Sequence, residues 1–356
     1  MKYKCCNLIQ HGLCFFEKDL VSCCFSPNDQ VNGGHPPVII SPYKGESLSK
    51  EELFQKINDY VAIFKKGGCP KECLNCYHLE EKEWDETPFI NSVTITHFSN
   101  CNANCIYCSN NLEQSERTND TYEILPVLRS LKEQGIIKQG VELHIGGGEF
   151  TIYKECNQLL EEFALSGFAK VYIPTNAIKF SQELNSAIKN GAACIIVSLD
   201  SGSKKTYKKI KRVDAFDIVV KNLKIYASNG INQGEIALKY IVIPTINDNF
   251  GEFKKFLNTA SEIGVKNIII DLDAKYAREL KHKVDSTLIC LVQKFEKYSH
   301  KQGFSTETYS FFSQCLNTSD VKKNILFQLY DLLKYRYFNQ TANNIYRNSV
   351  KMQKKC

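Results

Sequence analysis

The middle of this chain alternates short apolar runs with longer stretches of helical period. The runs, rich in β-branched residues, are Ser92–Phe98, Val141–Ile145, Lys170–Pro174, Cys194–Leu199, Ile236–Ile243 and Lys266–Leu272. Unbroken apolar runs of this length read as strands buried on both faces, as in parallel sheets. Helical segments separate them: Tyr122–Gln134, Lys154–Ser166, Ser181–Lys189, Ala215–Ser228 and Phe250–Ile263. Gly135, Gly167, Gly191, Gly230 and Gly264 stand at or near their ends, as helix-closing glycines do. Strand–helix alternation with parallel connections builds an α/β barrel or a doubly wound sheet. Six βα units are two short of a closed eight-stranded barrel.

The flanks break this rhythm, so three zones are expected. Residues 1–86 are irregular, with a Gly/Pro-rich stretch at Asn32–Pro37 and one helix over Lys50–Lys65. Within them, Gly12–Phe16 and Leu20–Cys24 flank the short polar segment Glu17-Lys18-Asp19 and read as a β-hairpin. Residues 87–275 carry the βα alternation. Residues 276–356 read as helical, with apolar faces at Leu288–Val292 and Asn324–Leu333. The length of 356 residues suits one large α/β domain with an appendage, or two domains. No apolar run reaches the length of a bilayer span, and the first residues lack a signal-peptide core. A cytoplasmic protein without a membrane partner is therefore expected. The net charge of +6 suits an anionic substrate or a nucleic acid without arguing for either.

Cysteine changes the picture. There are sixteen, and eight fall within the first 76 residues. Disulfides are rare in a reducing compartment, so clustered thiols there point to metal. The isolated Cys156, Cys194, Cys290, Cys315 and Cys356 fit small buried apolar residues. Cys101, Cys105 and Cys108 stand at Cys-x3-Cys-x2-Cys spacing just past the first barrel strand. Three thiolates hold three corners of a cubane, and the missing fourth leaves one iron open. The same spacing recurs at Cys69, Cys73 and Cys76. Only the later triad follows a strand, with Tyr107 before its last thiol.

That triad, Tyr107, and Gly146-Gly147-Gly148-Glu149 after the second strand resemble the radical S-adenosylmethionine (radical SAM) superfamily. The resemblance covers roughly residues 90–275. It implies an open (β/α)6 partial TIM-like barrel and a [4Fe-4S] cluster on Cys101, Cys105 and Cys108. The open iron would take the methionine end of S-adenosylmethionine, and reductive cleavage would yield a 5′-deoxyadenosyl radical that abstracts hydrogen from a substrate. Further contacts implied for the cofactor are Tyr107, Gly146, Gly147, Gly148, Glu149, Asn176, Ser198 and Asp200. Lys211 and Arg212 compete to meet the methionine carboxylate, and Arg212 is taken. The family usually has proline after the glutamate; here Phe150 stands instead. Read from the residues alone, the glycines fit a tight strand-to-helix turn, Asp200-Ser201 a helix cap, Asn176 a turn, and His97 and His144 satisfied barrel histidines.

The N-terminal cysteines resemble the auxiliary iron–sulfur region of SPASM or twitch proteins, displaced to the front of the chain. The preferred ligands are Cys6, Cys24, Cys73 and Cys76, with Cys5, Cys14, Cys23 and Cys69 as alternatives. A structural zinc site is the rival there. The expected function is a radical SAM enzyme acting on a peptide or small molecule. The auxiliary cluster either passes electrons or ligates the substrate, and a low-potential donor of flavodoxin or ferredoxin type supplies the electron. Two other readings remain: an RNA-modifying radical SAM enzyme, for which no appended RNA-binding segment is visible, and a non-catalytic iron–sulfur or zinc protein.

Overall fold

The computed structural model describes residues 2–23, 38–74, 76, 79–84, 89–108, 122–165, 168–229, 235–273 and 286–308. Six parallel strands form its centre: β6 (Ile90–Ile95), β7 (Ile137–Ile145), β8 (Lys170–Thr175), β9 (Ala193–Ser198), β10 (Ile236–Val242) and β11 (Asn267–Leu272). They pair in sequence order, each with the next. The helices that return the chain are α3 (Ile124–Glu133), α4 (Cys156–Leu165), α5 (Gln182–Lys189), α7 (Phe216–Asn229) and α8 (Phe250–Ile263). The apolar runs are therefore the strands, and the expected α/β partial barrel is borne out. Strand residues such as Val93, Leu143, Ile173, Val197, Leu238 and Ile270 are fully buried, as a sheet covered by helices requires.

Local chemistry fixes several helix ends. Ser181 and Asn249 cap α5 and α8, their side chains accepting from Leu184 N and Glu252 N. Gly264, at φ 93°, closes α8 in the left-handed conformation that glycine adopts most easily. An additional helix, α6 (Lys204–Lys211), lies between β9 and α7, and Ser203 caps it.

The flanking zones join the same sheet. Strand β2 (Gly12–Phe15) runs parallel beside β6, with Gly12 opposite Ser92 and Phe15 opposite Ile95. The expected hairpin follows: β3 (Leu20–Val21) pairs antiparallel with β2, and β4 (Val38–Ile40) with β3. On the far edge β12 (Ser305–Thr308) adds in parallel to β11, after helix α9 (Ser286–Lys301). The described part of the C-terminal zone thus holds a strand as well as a helix. The helix expected over 324–333 lies outside the described residues, as does Cys24.

A second, two-stranded sheet sits before the barrel. Strand β1 (Lys2–Cys5) pairs antiparallel with β5 (Glu80–Glu83). Helix α1 (Asn7–His11) leads from β1 into β2, and α2 (Lys50–Lys65), the predicted helix, packs on both α1 and β1. None of the thirteen described cysteines forms a disulfide. Among the described residues no helix is long and apolar enough to cross a membrane.

Candidate active site at the barrel mouth

The chain leaves three neighbouring strands through sharp turns. Ala177, Asp200 and Thr245, just past β8, β9 and β10, have φ of 57°, 58° and 65°. Left-handed conformations at non-glycine residues cost about 1–3 kcal/mol each and gather at functional sites. The Cys101–Cys108 loop stands at this end, beyond β6.

Two walls hold the loop. On one side, the glycine run continues the β6–β7 pairing upward. Gly146 N donates to Ile95 O at 2.7 Å, Gly148 N to Phe98 O and Glu149 N to Asn100 O at 2.8 Å each. A Cβ on Gly147 would stand 2.2 Å from Phe98 O, and one on Gly148 2.1 Å from Asn100 O. No side chain fits there, which is why glycine is required. On the other side, Asn104 N and Ile106 N donate to Lys211 O and Ile210 O at 3.1 and 3.0 Å. These are carbonyls at the end of α6, which lack partners inside the helix. Cys108 N then closes a turn onto Cys105 O at 3.1 Å.

Side chains lock both walls. Glu149 is buried and engages both carboxylate oxygens. Oε1 accepts from Thr151 N (3.1 Å), Thr151 Oγ1 (2.7 Å) and Thr175 Oγ1 (2.6 Å); Oε2 accepts from Asn176 N (2.6 Å). It therefore stitches the end of β7 to the end of β8. Asn176 Nδ2 in turn donates to Asn102 Oδ1 at 2.6 Å and approaches Cys101 Sγ at 3.7 Å.

At the second wall lies a buried triad. Lys211 Nζ donates to Asp200 Oδ2 at 2.5 Å and to the Tyr107 hydroxyl. Tyr107 donates to the same Asp200 oxygen at 2.6 Å. Asp200 Oδ1 accepts from Ile241 N at 2.8 Å. Lys211 is 1 % exposed and Asp200 0 %. Burial alone would lower the Lys211 pKa, but Asp200 and the Cys105 thiol hold it above the ordinary value. Burial and then Asp200 push the Tyr107 phenol well up, and burial raises the Cys105 thiol, opposed by Lys211. Ser198, beside the phenol, opposes that rise. An isoleucine patch of Ile210, Ile241 and Ile243, with Ile106, Tyr107 and Ile246 against it, keeps this wall dry.

The structure thus brings Cys101, Cys105, Cys108, Tyr107, Gly146–Glu149, Asn176, Ser198 and Asp200 to one end of the barrel. Arg212 stands at the same end, next to the carbonyl of Lys211 that holds the loop; it is exposed and closes α6 at φ 55°. Lys211 is the buried one of the two, one turn after the buried Tyr207. The carboxylates of Glu149 and Asp200 are engaged within the protein, so these residues build the walls. Asn247, another polar strand-end residue, is a turn brace: Nδ2 donates to Asp200 O and Ile241 O, and Oδ1 accepts from Ile243 N. His97 is buried with Nε2 3.0 Å from the Tyr153 hydroxyl, and His144, half-buried, stacks on Tyr172 with Nε2 3.8 Å from Glu142 Oε2.

Among the described residues, no three His, Cys, Asp or Glu side chains stand close enough to share a single metal ion. Around a cubane each thiolate takes a different iron, so the thiols stand farther apart. The donor set here, three thiols and no carboxylate or imidazole, fits iron–sulfur ligation. Residues 95–259 match the radical SAM superfamily. That stretch is a little under half of the chain, and over it the expected radical SAM resemblance is borne out.

Curated relatives are similar over parts of their length. A probable GTP 3′,8-cyclase from Saccharolobus islandicus is 28 % identical over 214 residues, 59 % of this chain and 65 % of that protein. A protein named GTPase Obg from Brachyspira hyodysenteriae is 29 % identical over 172 residues, 46 % of this chain and 25 % of its own length. The chain thus spans between a quarter and just under two thirds of these relatives. Among solved structures, Streptococcus suis SuiB bound to its precursor peptide SuiA matches with a TM-score of 0.52 and 18 % identity. The match covers 76 % of this chain and 57 % of SuiB, and it supports the fold.

Proposed function

We propose that this protein uses its radical SAM domain to cleave S-adenosylmethionine reductively and to take a hydrogen atom from a peptide or small-molecule substrate. The observation that carries this reading is the Cys101–Cys108 loop, held between a side-chain-free glycine edge and the end of α6 at the mouth of the barrel. Cys101, Cys105 and Cys108 would hold a [4Fe-4S] cluster. When bound, the cluster and S-adenosylmethionine supply an electron and a sulfonium whose cleavage generates the hydrogen-abstracting radical.

The protein's own part is positional. An amino group meeting the glycine edge donates, so carbonyl oxygens of that edge would receive it, while the N–H groups of Gly146, Gly148 and Glu149 hold the loop. Asn176 presents its amide beside Cys101, and Ser198 ends β9 near Tyr107. The isoleucine patch excludes water, which guards a reactive species from side reactions. Lys211 and Asp200 fix Tyr107 and through it the ring beside Cys108. An electron donor of flavodoxin or ferredoxin type would serve the cluster. A cluster in the cysteine-rich N-terminal region would assist.

The substrate reading draws on the similar proteins. SuiB is described as bound to a precursor peptide, and its match spans the larger share of this chain, so a peptide comes first. Relatives named GTP 3′,8-cyclase make a nucleoside triphosphate the small molecule to test. Anaerobically reconstituted protein, reduced with dithionite, is expected to release 5′-deoxyadenosine from S-adenosylmethionine. Full iron loading without cleavage refutes the proposal.

A further inference from the structure

The N-terminal thiols come together in the fold. Helix α2 ends against β1, with Lys65 Nζ 5.8 Å from the centre of the Tyr3 ring, and Cys69 follows four residues later. The chain then turns twice: Cys73 N donates to Pro70 O at 2.9 Å, and Cys76 N to Cys73 O at 3.1 Å. Leu79 N donates back to Cys76 O at 3.3 Å. The next residue, Glu80, pairs with Cys5 in the β1–β5 ladder. The ladder and the turns therefore return Cys69, Cys73 and Cys76 to the end of β1. Cys73 lies in the electrostatic field of Cys69, Cys76 and Cys6, while Cys5 has Cys6 and Cys69 as its thiol neighbours. Cys5 and Cys6 are consecutive extended residues and so point to opposite sides. The set around Cys73 is Cys6, Cys69 and Cys76.

This cluster of thiols is far from the barrel mouth. His11, the last residue of α1, sets Nδ1 2.9 Å from Phe89 O and stacks on the Phe89 ring at 4.0 Å. Phe89 immediately precedes β6. Cys6 caps the start of α1, about 8 Å from His11 at helical rise. Cys101, Cys105 and Cys108 lie beyond the other end of β6, a six-residue strand about 20 Å long.

We propose that Cys6, Cys69, Cys73 and Cys76 bind an iron–sulfur cluster at the end of β6 opposite the Cys101–Cys108 loop, closed to substrate by its four thiolates. For the identity of the metal it rests on the radical SAM reading above. The site joins the first residues of the chain to the segment after α2 and needs no contribution from Cys24. Its distance from the mouth removes the option that it ligates the substrate: it anchors the N-terminal strands to the barrel and stores charge. Closing a long loop through a cluster stabilises the fold, as structural metals do.

The test uses the full chain reconstituted anaerobically with ferrous iron and sulfide. The Cys101→Ala/Cys105→Ala/Cys108→Ala variant is expected to keep about four irons and four sulfides per chain, half of the wild-type load. Adding Cys69→Ser to it takes iron to near zero, and adding Cys24→Ser leaves it unchanged. Far-UV circular dichroism and the melting temperature identify a variant that fails to fold; in that case the triple variant alone decides. Its reduced electron paramagnetic resonance spectrum is expected to be indifferent to S-adenosylmethionine and to peptide. A triple variant without iron, a signal that shifts on adding either compound, or iron lost with Cys24→Ser but kept with Cys69→Ser overturns the inference. Equal iron in the wild type and the triple variant would instead count against the cluster at the mouth and leave this site standing.

Discussion

Lys211→Met isolates the buried ion pair at the second wall. Methionine keeps the length and apolar stem of lysine and removes the ammonium. Asp200 stays wholly buried, losing its 2.5 Å charged partner and keeping the bonds from Tyr107 and Ile241 N. Two charge-assisted hydrogen bonds disappear, each worth roughly 1.5–3 kcal/mol. The desolvation cost of the lysine disappears as well and offsets part of that. Removing one member of a buried pair typically costs about 3–5 kcal/mol, because the other charge is stranded. That is a large share of a total stability of about 5–15 kcal/mol. The assay is urea unfolding of the metal-free chain followed by circular dichroism. Asp200→Asn/Lys211→Met completes the cycle, since asparagine still offers Oδ1 to Ile241 N without a charge. The double variant is expected to recover at least about 1 kcal/mol over Lys211→Met. A single variant that loses under 1 kcal/mol, or a double variant no better than the single, would refute the buried charge as the organising feature of this wall.

Cys105→Ala is expected to abolish 5′-deoxyadenosine release and to lower iron by about four per chain, measured by chromatography and colorimetric iron assay. Gly148→Ala drives a methyl group into Asn100 O and is expected to destabilise the chain by about 1–3 kcal/mol and to weaken iron retention at the mouth, while Gly264→Ala, which strains the φ 93° cap of α8 without a steric clash, also costs stability but leaves the iron unchanged. Glu149→Ala removes an acceptor of four hydrogen bonds and should cost several kcal/mol, since each buried donor left alone costs about 1–3 kcal/mol; an unchanged melting temperature would contradict the stitching role. Alkaline pH should also weaken the fold. Burial pushes the Tyr172 and Tyr226 phenols up to about 12 from 10. Above pH 10 the unfolded chain loses these protons first and binds fewer than the native one, so stability falls as pH rises. The fully buried Tyr226 alone contributes a loss of about 1 kcal/mol by pH 11. Urea midpoints between pH 9 and 11 measure it, and a flat profile speaks against the burial argument.

The pattern of apolar runs was enough to locate the six barrel strands and five return helices, because each run is buried by local necessity whatever its neighbours are. Ile268, Ile270 and Leu272 have no other place to go. The cysteine spacing and the glycine run likewise carry their meaning in sequence, since a tight loop and a bare backbone edge are local properties. Which of Lys211 and Arg212 is buried was decided by where α6 stops. Arg212 takes the left-handed closing position, and only the presence of Asp200 and Tyr107 beside Lys211 makes a buried lysine tolerable. Helix α6 carries no clear apolar period because its lysines outnumber its apolar residues; it is the helix that a cap at Asp200-Ser201 implied, and its cap is Ser203.

Tertiary structure also decided where each cysteine group lies. Cys-x3-Cys-x2-Cys reads the same at residue 69 and at residue 101, and nothing in either spacing reveals that the two stand at opposite ends of β6. The ladder of β1 with β5 sets that, through hydrogen bonds between residues almost eighty positions apart. The same holds for β2 beside β6 and β12 beside β11, which carry the flanking zones into the central sheet. Sequence fixes what a segment prefers over a few residues; which distant segments share an edge, a wall or a cluster depends on the packing of the whole chain, and that is where the chemistry of this protein is assembled.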